Sequence, residues 1–127
     1  MYLSTFSALF LILCFLLQKT QQESLSPKIS AFKSKQSTNL GAKLKLFCFA
    51  EEGSKPLWFE WHHDGKIVKN EDDYNDTQSS VIIENSDDSS ILILDKLRQN
   101  NSGNYSCSVK NRYGSDIQST ILTVKGR

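Results

Sequence analysis

The sequence predicts an all-β fold, a Greek-key sandwich of two sheets joined by one disulfide. Four residues at a characteristic spacing support this prediction, since Trp61 follows Cys48 by thirteen residues and Tyr105 precedes Cys107 by two. In such a sandwich the disulfide joins the sheets, the indole packs against it, and the tyrosine hydroxyl ties the chain back at a corner. Short segments of period-two alternation, separated by turn residues, are the second observation. We therefore expect Trp61, Tyr105 and Leu97, which lies at the crossover before the tyrosine, to form the central core.

The alternation predicts eight strands. The turn Asp64-Gly65 is a hairpin signal between the third and the fourth strand. The acidic stretch 70–77 has little β-branched or aromatic content, so no additional strand is expected between the fourth and the fifth strand. The predicted strands cover residues 28–32, 42–50, 57–62, 66–69, 80–84, 90–94 and 105–110, and a last strand that ends with Leu122 and Val124 facing inward.

An apolar run of twelve residues, 6–17, precedes the predicted domain. It is too short to span a membrane, which takes ~20 apolar residues, and it fits the hydrophobic region of a secretory signal peptide. We assign residues 1–22 to this signal peptide, with cleavage between Gln18 and Ser26. No basic side chain precedes the run and no A-x-A site follows it, so a short amphiphilic anchor is the alternative. No second apolar run follows, so no membrane span is expected after it.

The cysteine count agrees with a secreted domain. The chain has three cysteines, and Cys14 lies inside the predicted signal peptide. Cys48 and Cys107 then remain as one pair, and a structural disulfide is typical of an oxidising compartment. Closing the 59-residue loop between them should stabilise the domain by roughly 4 kcal/mol on the chain-entropy model.

The charge and the polar residues exclude several classes of function. The chain carries 15 Lys and Arg against 14 Asp and Glu, a net charge of +1, which gives no electrostatic reason to expect nucleic acid or an anionic membrane as a partner. His62 and His63 are neighbours on one predicted strand and should point to opposite faces, so they cannot readily chelate one ion. The acidic stretch 71–76 lacks the ligand spacing and glycine turn of a calcium loop. We expect no metal, no cofactor and no catalytic triad.

Several motifs over residues 27–125 resemble those of immunoglobulin I-set domains. They are Pro27-Lys28-Ile29, Asn39-x-Gly41, Pro56-Leu57-x-Phe59-x-Trp61, Asp64-Gly65-Lys66, Leu92-x-Leu94-x-x-Leu97, Asn101-Ser102-Gly103-Asn104-Tyr105-Ser106-Cys107 and Asn111-x-x-Gly114. More narrowly, the chain resembles N-terminal-type domains of the arthropod Down syndrome cell adhesion molecule (Dscam) and its shortened relatives. The resemblance implies an immunoglobulin-like sandwich and cell-surface recognition, often homophilic, with no enzymatic activity.

One residue departs from the family pattern. Asn101 stands where the family usually carries an aspartate that pairs with a basic residue at the start of the fifth predicted strand. That ion pair cannot form here, but the asparagine side chain can still accept a hydrogen bond and cap the turn. We expect the loss to cost only ~1 kcal/mol, because partly exposed ion pairs contribute modestly.

Three N-glycosylation sequons lie in the predicted domain, at Asn75, Asn100 and Asn104. In a secreted chain each is a potential glycan acceptor, and we expect at least one to be occupied. Asn104 alternates outward from Tyr105, so a glycan there would cover the lower part of the exposed face of the sheet that contains the strands of Trp61 and Cys107.

Four apolar residues predict an interaction surface on the opposite sheet. Phe47 and Phe49 flank the inward-facing Cys48, and Ile91 and Ile93 flank an inward-facing leucine on a neighbouring strand. We expect the four to form one exposed apolar patch, which is typical of an interface. It would dock a second copy or a neighbouring immunoglobulin domain of the same chain, unless the first strand or the loop tips cover it.

Trp58 is a second candidate for an interface residue. It points away from Trp61 and should be exposed at the start of its strand, where a tryptophan often anchors a protein partner. The alternative is that it simply lies over the preceding loop.

These patterns and the resemblance predict an extracellular adhesion or recognition module that binds a protein partner, either a second copy or a neighbouring immunoglobulin domain. The alternative is a secreted single-domain immune factor that binds microbial or soluble ligands. A reading frame that continues past Arg127 into further domains would favour the first, and a stop codon there the second. In either case we expect the protein to be secreted or displayed at the cell surface.

Overall fold

The computed structural model describes residues 8–9, 11–12, 24–71 and 79–126. Four of these, residues 8–9 and 11–12, are helical, and the rest of the predicted signal peptide lies outside the described residues, as do residues 72–78. The described domain is built from nine strands and one short 3-10 helix, Gln99–Asn101. The strands are β1 Lys28–Ile29, β2 Lys35–Asn39, β3 Leu44–Glu52, β4 Trp58–His63, β5 Lys66–Ile67, β6 Ser80–Asn85, β7 Ser89–Asp95, β8 Gly103–Asn111 and β9 Gly114–Lys125.

The strands form two sheets. The four-stranded sheet has the order β1-β3-β7-β6, and the five-stranded sheet has the order β2-β9-β8-β4-β5. All pairings are antiparallel except that of β2 with β9, which is parallel. The predicted all-β sandwich is therefore confirmed.

The core lies between the sheets because each strand alternates buried and exposed side chains. On β3, Leu46 and Cys48 are buried while Phe47 and Phe49 are exposed. Strand β8 has the same period, and Cys107 on its inner face forms the predicted disulfide with Cys48. Since the side-chain period of a strand is two, each sheet presents one apolar face to the other.

Trp61 lies at the centre of this core and is 1% exposed. Its indole Nε1 donates a hydrogen bond to Ser90 Oγ at 2.8 Å. Ser90 is fully buried on β7, directly across from Cys48. The polar end of the indole is thus satisfied inside the core, as buried tryptophans require.

Tyr105 ties the chain back at the corner that precedes β8. Its hydroxyl donates to the carbonyl oxygen of Asn101 at 2.5 Å. The Asn101 side-chain oxygen in turn accepts from the Arg98 backbone N–H at 2.7 Å and from Ser79 Oγ at 2.5 Å. The expected cap by asparagine is present, and the hydroxyl of Ser79, just before β6, supplies the neutral partner of Asn101. Leu97 is fully buried in the same turn.

The first predicted strand, residues 28–32, is wrong in extent. It ends after two residues, and the chain crosses to the other sheet, where β2 pairs with β9. β2 has the sequence Lys-Gln-Ser-Thr-Asn and contains no apolar side chain. Hydropathy therefore gives no signal for β2, whose pairing is held by backbone hydrogen bonds at the edge of the sheet.

Candidate interaction surfaces

The outer face of the four-stranded sheet carries a contiguous apolar group, and we call it the β3–β7 face. Phe47 is 62% exposed and Phe49 is 46% exposed. Phe47 lies directly across from Ile91 of β7, which is half-buried. Ile82 of β6 belongs to the same face and is 38% exposed. These side chains are adjacent along β3 and across the strands.

Ile93 differs from the expectation. It lies on the same face, since it alternates with the inward-facing Leu92 and Leu94, but only 8% of it is exposed. In register it is flanked by Lys45 of β3 and Ile82 of β6, on the two sides of the central strand β7. The side chains on both sides reduce its exposure, so Ile93 adds little accessible surface to the patch.

The first strand does not cover this patch. β1 pairs edge to edge with β3, with Ile29 across from Ala50, and so extends the sheet sideways. Ile29 points into the core, where it is 3% exposed. Within the described part of the chain, both phenylalanines therefore remain accessible to a partner.

The outer face of the five-stranded sheet is different in character. Its exposed apolar side chains are Trp58, Ile67, Ile117 and Ile121, each 51% to 57% exposed. They are separated by polar residues. Ser119 lies between the two isoleucines of β9, and Lys110 of β8 lies between Trp58 on β4 and strand β9. Trp58 is exposed as expected, but it does not join a contiguous apolar group.

The described sequons lie away from the β3–β7 face. Asn104 is exposed at the start of β8, and its partner in register is Ile121 on the outer face of the five-stranded sheet. Asn100 is exposed in the 3-10 helix that connects the sheets. The third sequon, Asn75, lies outside the described residues.

The two histidines have separate partners. The His63 ring stacks on Tyr105, with ring centroids 4.2 Å apart and planes 6° from parallel. His63 Nε2 lies 3.0 Å from the carbonyl oxygen of Ser102 and 3.5 Å from Asp64. His62 Nε2 lies 3.1 Å from Glu60 Oε1. His63 thus serves as packing over the tyrosine corner, and the imidazoles do not converge on one point.

Burial of Tyr105 raises the pKa of its phenol well above the ordinary value, and the nearby Asp64 carboxylate raises the pKa further. Tyr113 behaves in the opposite way, since a hydrogen bond with Ser24 lowers the pKa of its exposed phenol. Among the residues that the structure describes, no group of three or more His, Cys, Asp or Glu side chains could hold a metal ion. A hollow of about 250 Å³ beside His63 is open and lined mainly by polar groups.

The side chain of Asn111 clamps the segment before β1 to the loop between β3 and β4. Its side-chain Nδ2 donates to the carbonyl oxygens of Leu25 at 2.8 Å and Ser54 at 3.0 Å. Its Oδ1 accepts from the backbone N–H groups of Tyr113 and Gly114 at 2.9 and 3.1 Å. Leu25 and Ser54 are also joined directly by two hydrogen bonds of 3.0 Å. Residues 24–27, directly before β1, are therefore part of the folded unit, a role of Asn111 that no spacing in the sequence indicates.

No described helix combines the length and the apolar content needed to cross a bilayer.

Comparisons with known proteins agree with this architecture. A family model described as "Immunoglobulin domain" matches residues 26–111. The membrane-bound isoform of pro-neuregulin-1 from Homo sapiens is 29% identical over 105 residues, which cover 83% of this chain and 16% of that protein. The chain therefore spans about a sixth of that relative's length.

Solved structures show the same fold. The crystal structure of the Dscam1 Ig7 domain, isoform 5, superposes with a TM-score of 0.67 at 21% identity, covering 81% of this chain and 100% of that one. Titin domains z1z2, solved in complex with telethonin, superpose with a TM-score of 0.70 at 21% identity, covering 84% of this chain and 51% of that one. These likenesses concern the fold of the domain.

Proposed function

Because this chain belongs to the immunoglobulin domain family, a family that is generally non-enzymatic, we propose that it is an extracellular recognition and adhesion module. Its binding surface for a protein partner is the β3–β7 face. The observation that carries the proposal is the contiguous exposed group formed by Phe47, Phe49, Ile82 and Ile91. A contiguous apolar patch on a soluble domain is typical of an interaction site.

Burial of the two exposed phenylalanine rings by a partner would contribute enough free energy to matter for binding. Full burial of a phenylalanine contributes ~1.5–3 kcal/mol. With 62% of Phe47 and 46% of Phe49 still accessible, covering both would contribute about 2–3 kcal/mol. That corresponds to roughly a hundredfold in affinity. Two side chains of this kind are typical anchors of a protein interface.

The other sheet is the weaker candidate. Its exposed apolar side chains are dispersed among polar ones, which is normal for a protein surface. It also carries the Asn104 sequon, next to Ile121. A glycan on Asn104 would cover the neighbouring part of that face, whereas neither described sequon lies on the β3–β7 face. The position of the sequons therefore favours the four-stranded sheet as the side left free for a protein.

The extracellular location rests on three features of the chain. The Cys48–Cys107 disulfide is of the structural type that persists in oxidising compartments. The twelve-residue apolar run fits a signal peptide over residues 1–22, which leaves an immunoglobulin domain over residues 27–125. The sequons would be acceptors in the secretory pathway. The likeness to one part of the membrane-bound isoform of pro-neuregulin-1 is in keeping with a module displayed outside the cell.

The proposal is tested with the full chain secreted from animal cells and coupled to beads. These beads are mixed with beads that carry the same protein and, separately, with cells of the tissue that expresses it. We expect adhesion in at least one of these assays, and we expect the double variant F47S/F49S to lose it. The matched control is I117S/I121S, which removes two side chains of similar exposure, 57% and 51%, from the opposite sheet.

Thermal unfolding of each variant verifies that the fold is retained. Adhesion that is unchanged in F47S/F49S, or lost only in I117S/I121S, would assign the interaction to another surface. A wild-type protein that binds neither beads nor cells would contradict the adhesive function itself.

Glycan occupancy is tested separately on the secreted protein. The mass should fall on treatment with an N-glycosidase, and the variants N100Q and N104Q identify which of the two described sequons contributes. An unchanged mass would remove the glycan argument for the choice of face.

A further inference from the structure

The exposed side chains of β3 form an ordered series along the β3–β7 face. Between its two ends the strand presents Lys45, Phe47, Phe49 and Glu51 to solvent, each two residues from the next. A cation therefore stands at one end of the aromatic pair and an anion at the other. When two such series run in opposite directions, the cation of each lies opposite the anion of the other.

A two-fold axis makes this complementarity explicit. The axis lies in the plane between two stacked copies, perpendicular to β3 and level with the midpoint between Phe47 and Phe49. A rotation about it reverses the direction of the strand and brings the same face of both copies together. Lys45 then faces Glu51 of the second copy, and Glu51 faces Lys45 of the second copy. Each aromatic ring meets the other ring of the pair. An axis parallel to the strand would instead place Lys45 against Lys45 and Glu51 against Glu51.

The adjacent strand β7 fits the same arrangement. Ile91 lies across from Phe47, and Ser89 lies across from Phe49, in the register of β3 with β7. The axis perpendicular to β3 therefore brings Ile91 of one copy opposite the small Ser89 of the other, which leaves room for the larger side chain. Packed sheets lie about 10 Å apart, a separation that side chains of these sizes span.

We propose that the occupant of the β3–β7 face is a second copy of this chain, bound face to face with its β3 antiparallel to the first. The proposal rests on the adhesive function of this face and adds the identity and register of the partner. A closed two-fold interface uses one patch on both copies, which is the commonest symmetry of soluble assemblies.

Glu51 is compatible with this role although it has contacts within its own chain. Its Oε1 accepts a hydrogen bond from Ser30 Oγ at 3.0 Å, and its Oε2 lies 3.9 Å from Lys28 Nζ. Both charged side chains of that pair are largely exposed, 64% for Lys28 and 47% for Glu51. A carboxylate has about four lone-pair sites, so Glu51 can accept a further cation from a second copy.

The size of the face predicts a weak dimer. From Lys45 to Glu51 the face is about 20 Å long, and four strands make it about 14 Å wide. An interface of this size lies at or below the lower limit of stable complexes, ~1,200 Å² of total buried surface. The single domain should therefore associate weakly, and display of many copies on one surface should strengthen adhesion through effective concentration.

Charge reversal at the two ends of β3 tests the register. The variants are K45E and E51K, each secreted as the full chain, and self-association is measured by analytical ultracentrifugation from about 10 μM to 1 mM, the range of a weak complex. Either variant alone would set like charges against each other at both ends of the dimer. We expect each to self-associate about tenfold more weakly than wild type, because two favourable pairs become two unfavourable ones.

The equimolar mixture of K45E and E51K should recover association. In that heterodimer one copy is acidic at both positions and the other copy is basic at both, so the two ends are again complementary. The double variant K45E/E51K should self-associate like wild type, because exchanging the two charges preserves an opposite pair at each end. The K45E variant mixed with wild type is the control, because one of its two charge pairs stays unfavourable.

The outcomes separate this inference from the function on which it rests. Recovery in the mixture and in the double variant supports the antiparallel register. Self-association that needs Phe47 and Phe49 but ignores both charge reversals would overturn the register. A wild-type chain that stays monomeric, while its beads still bind cells through the two phenylalanines, would overturn the second copy as partner and leave the adhesive function standing.

Discussion

Replacing Ser90 with alanine should destabilise the domain, because its hydroxyl is the hydrogen-bond acceptor for the buried Trp61 indole. The two residues are 0% and 1% exposed, and the distance from Trp61 Nε1 to Ser90 Oγ is 2.8 Å. Ser90 also lies directly across from Cys48, so the bond is made beside the disulfide. The alanine variant S90A leaves the indole N–H in the core without its acceptor.

The expected loss follows from the cost of an unsatisfied buried donor, about 1–3 kcal/mol. The removal of one oxygen atom creates little cavity, so the hydrogen bond accounts for most of the effect. For a domain near 100 residues, each kcal/mol lowers the midpoint of thermal unfolding by ~4–8 °C. S90A should therefore unfold at least several degrees below wild type.

The assay is a double-mutant cycle followed by urea and thermal unfolding. Trp61→Phe removes the donor, so Ser90→Ala should cost about 1 kcal/mol less in that background than in wild type. Ser108→Ala is the control, because its hydroxyl makes only a long contact of 3.4 Å on the outer face, and its effect should stay within ~0.5 kcal/mol. An S90A variant as stable as S108A, or an equal cost in both backgrounds, would refute the reasoning.

Two further predictions concern the ends of β8. Asn111→Ala should lower the free energy of unfolding by about 2–3 kcal/mol, because it removes the clamp on Leu25 and Ser54; urea unfolding measures this, and a neutral result would contradict the clamp. The raised pKa of Tyr105 predicts that wild type loses stability as the pH rises above the ordinary phenol value of 10.0, by up to ~1.4 kcal/mol per pH unit. The variant Y105F has no such proton to lose, so the stability gap between the two proteins should narrow above that pH, and a constant gap would contradict the prediction.

The sequence predicts the central core well because the residues that form it are chemically distinctive. Two cysteines and a tryptophan at fixed spacing admit few packings in a sandwich, and the alternation around Cys48 assigns each neighbour to a face. The sequence does not predict β2, because the residues of this strand are not chemically distinctive. Its side chains are all polar, and what holds it is the backbone of β9, which has no signature in composition.

The interaction surface is predicted in part. The exposure of Phe47 and Phe49 follows from one strand alone, because their neighbour Cys48 has to face inward. The burial of Ile93 and the presence of Ile82 depend on which strands flank β7 and in what register, and this is tertiary information. The same limit applies to Ser90, which looks like any other serine until the fold brings it to the indole.

The parallel pairing of β2 with β9 has a mechanical consequence. Five residue pairs, from Lys35 with Ile121 to Asn39 with Lys125, join a strand near the start of the domain to the strand at its end. Tension that pulls the two ends of the domain apart loads the hydrogen bonds between β2 and β9 together in shear, so these bonds resist as a group. Once these bonds break, the disulfide still prevents extension of the segment from Cys48 to Cys107, which have a sequence separation of 59, and this segment would extend to about 200 Å. Single-molecule stretching with and without a reductant should differ in length by about that amount.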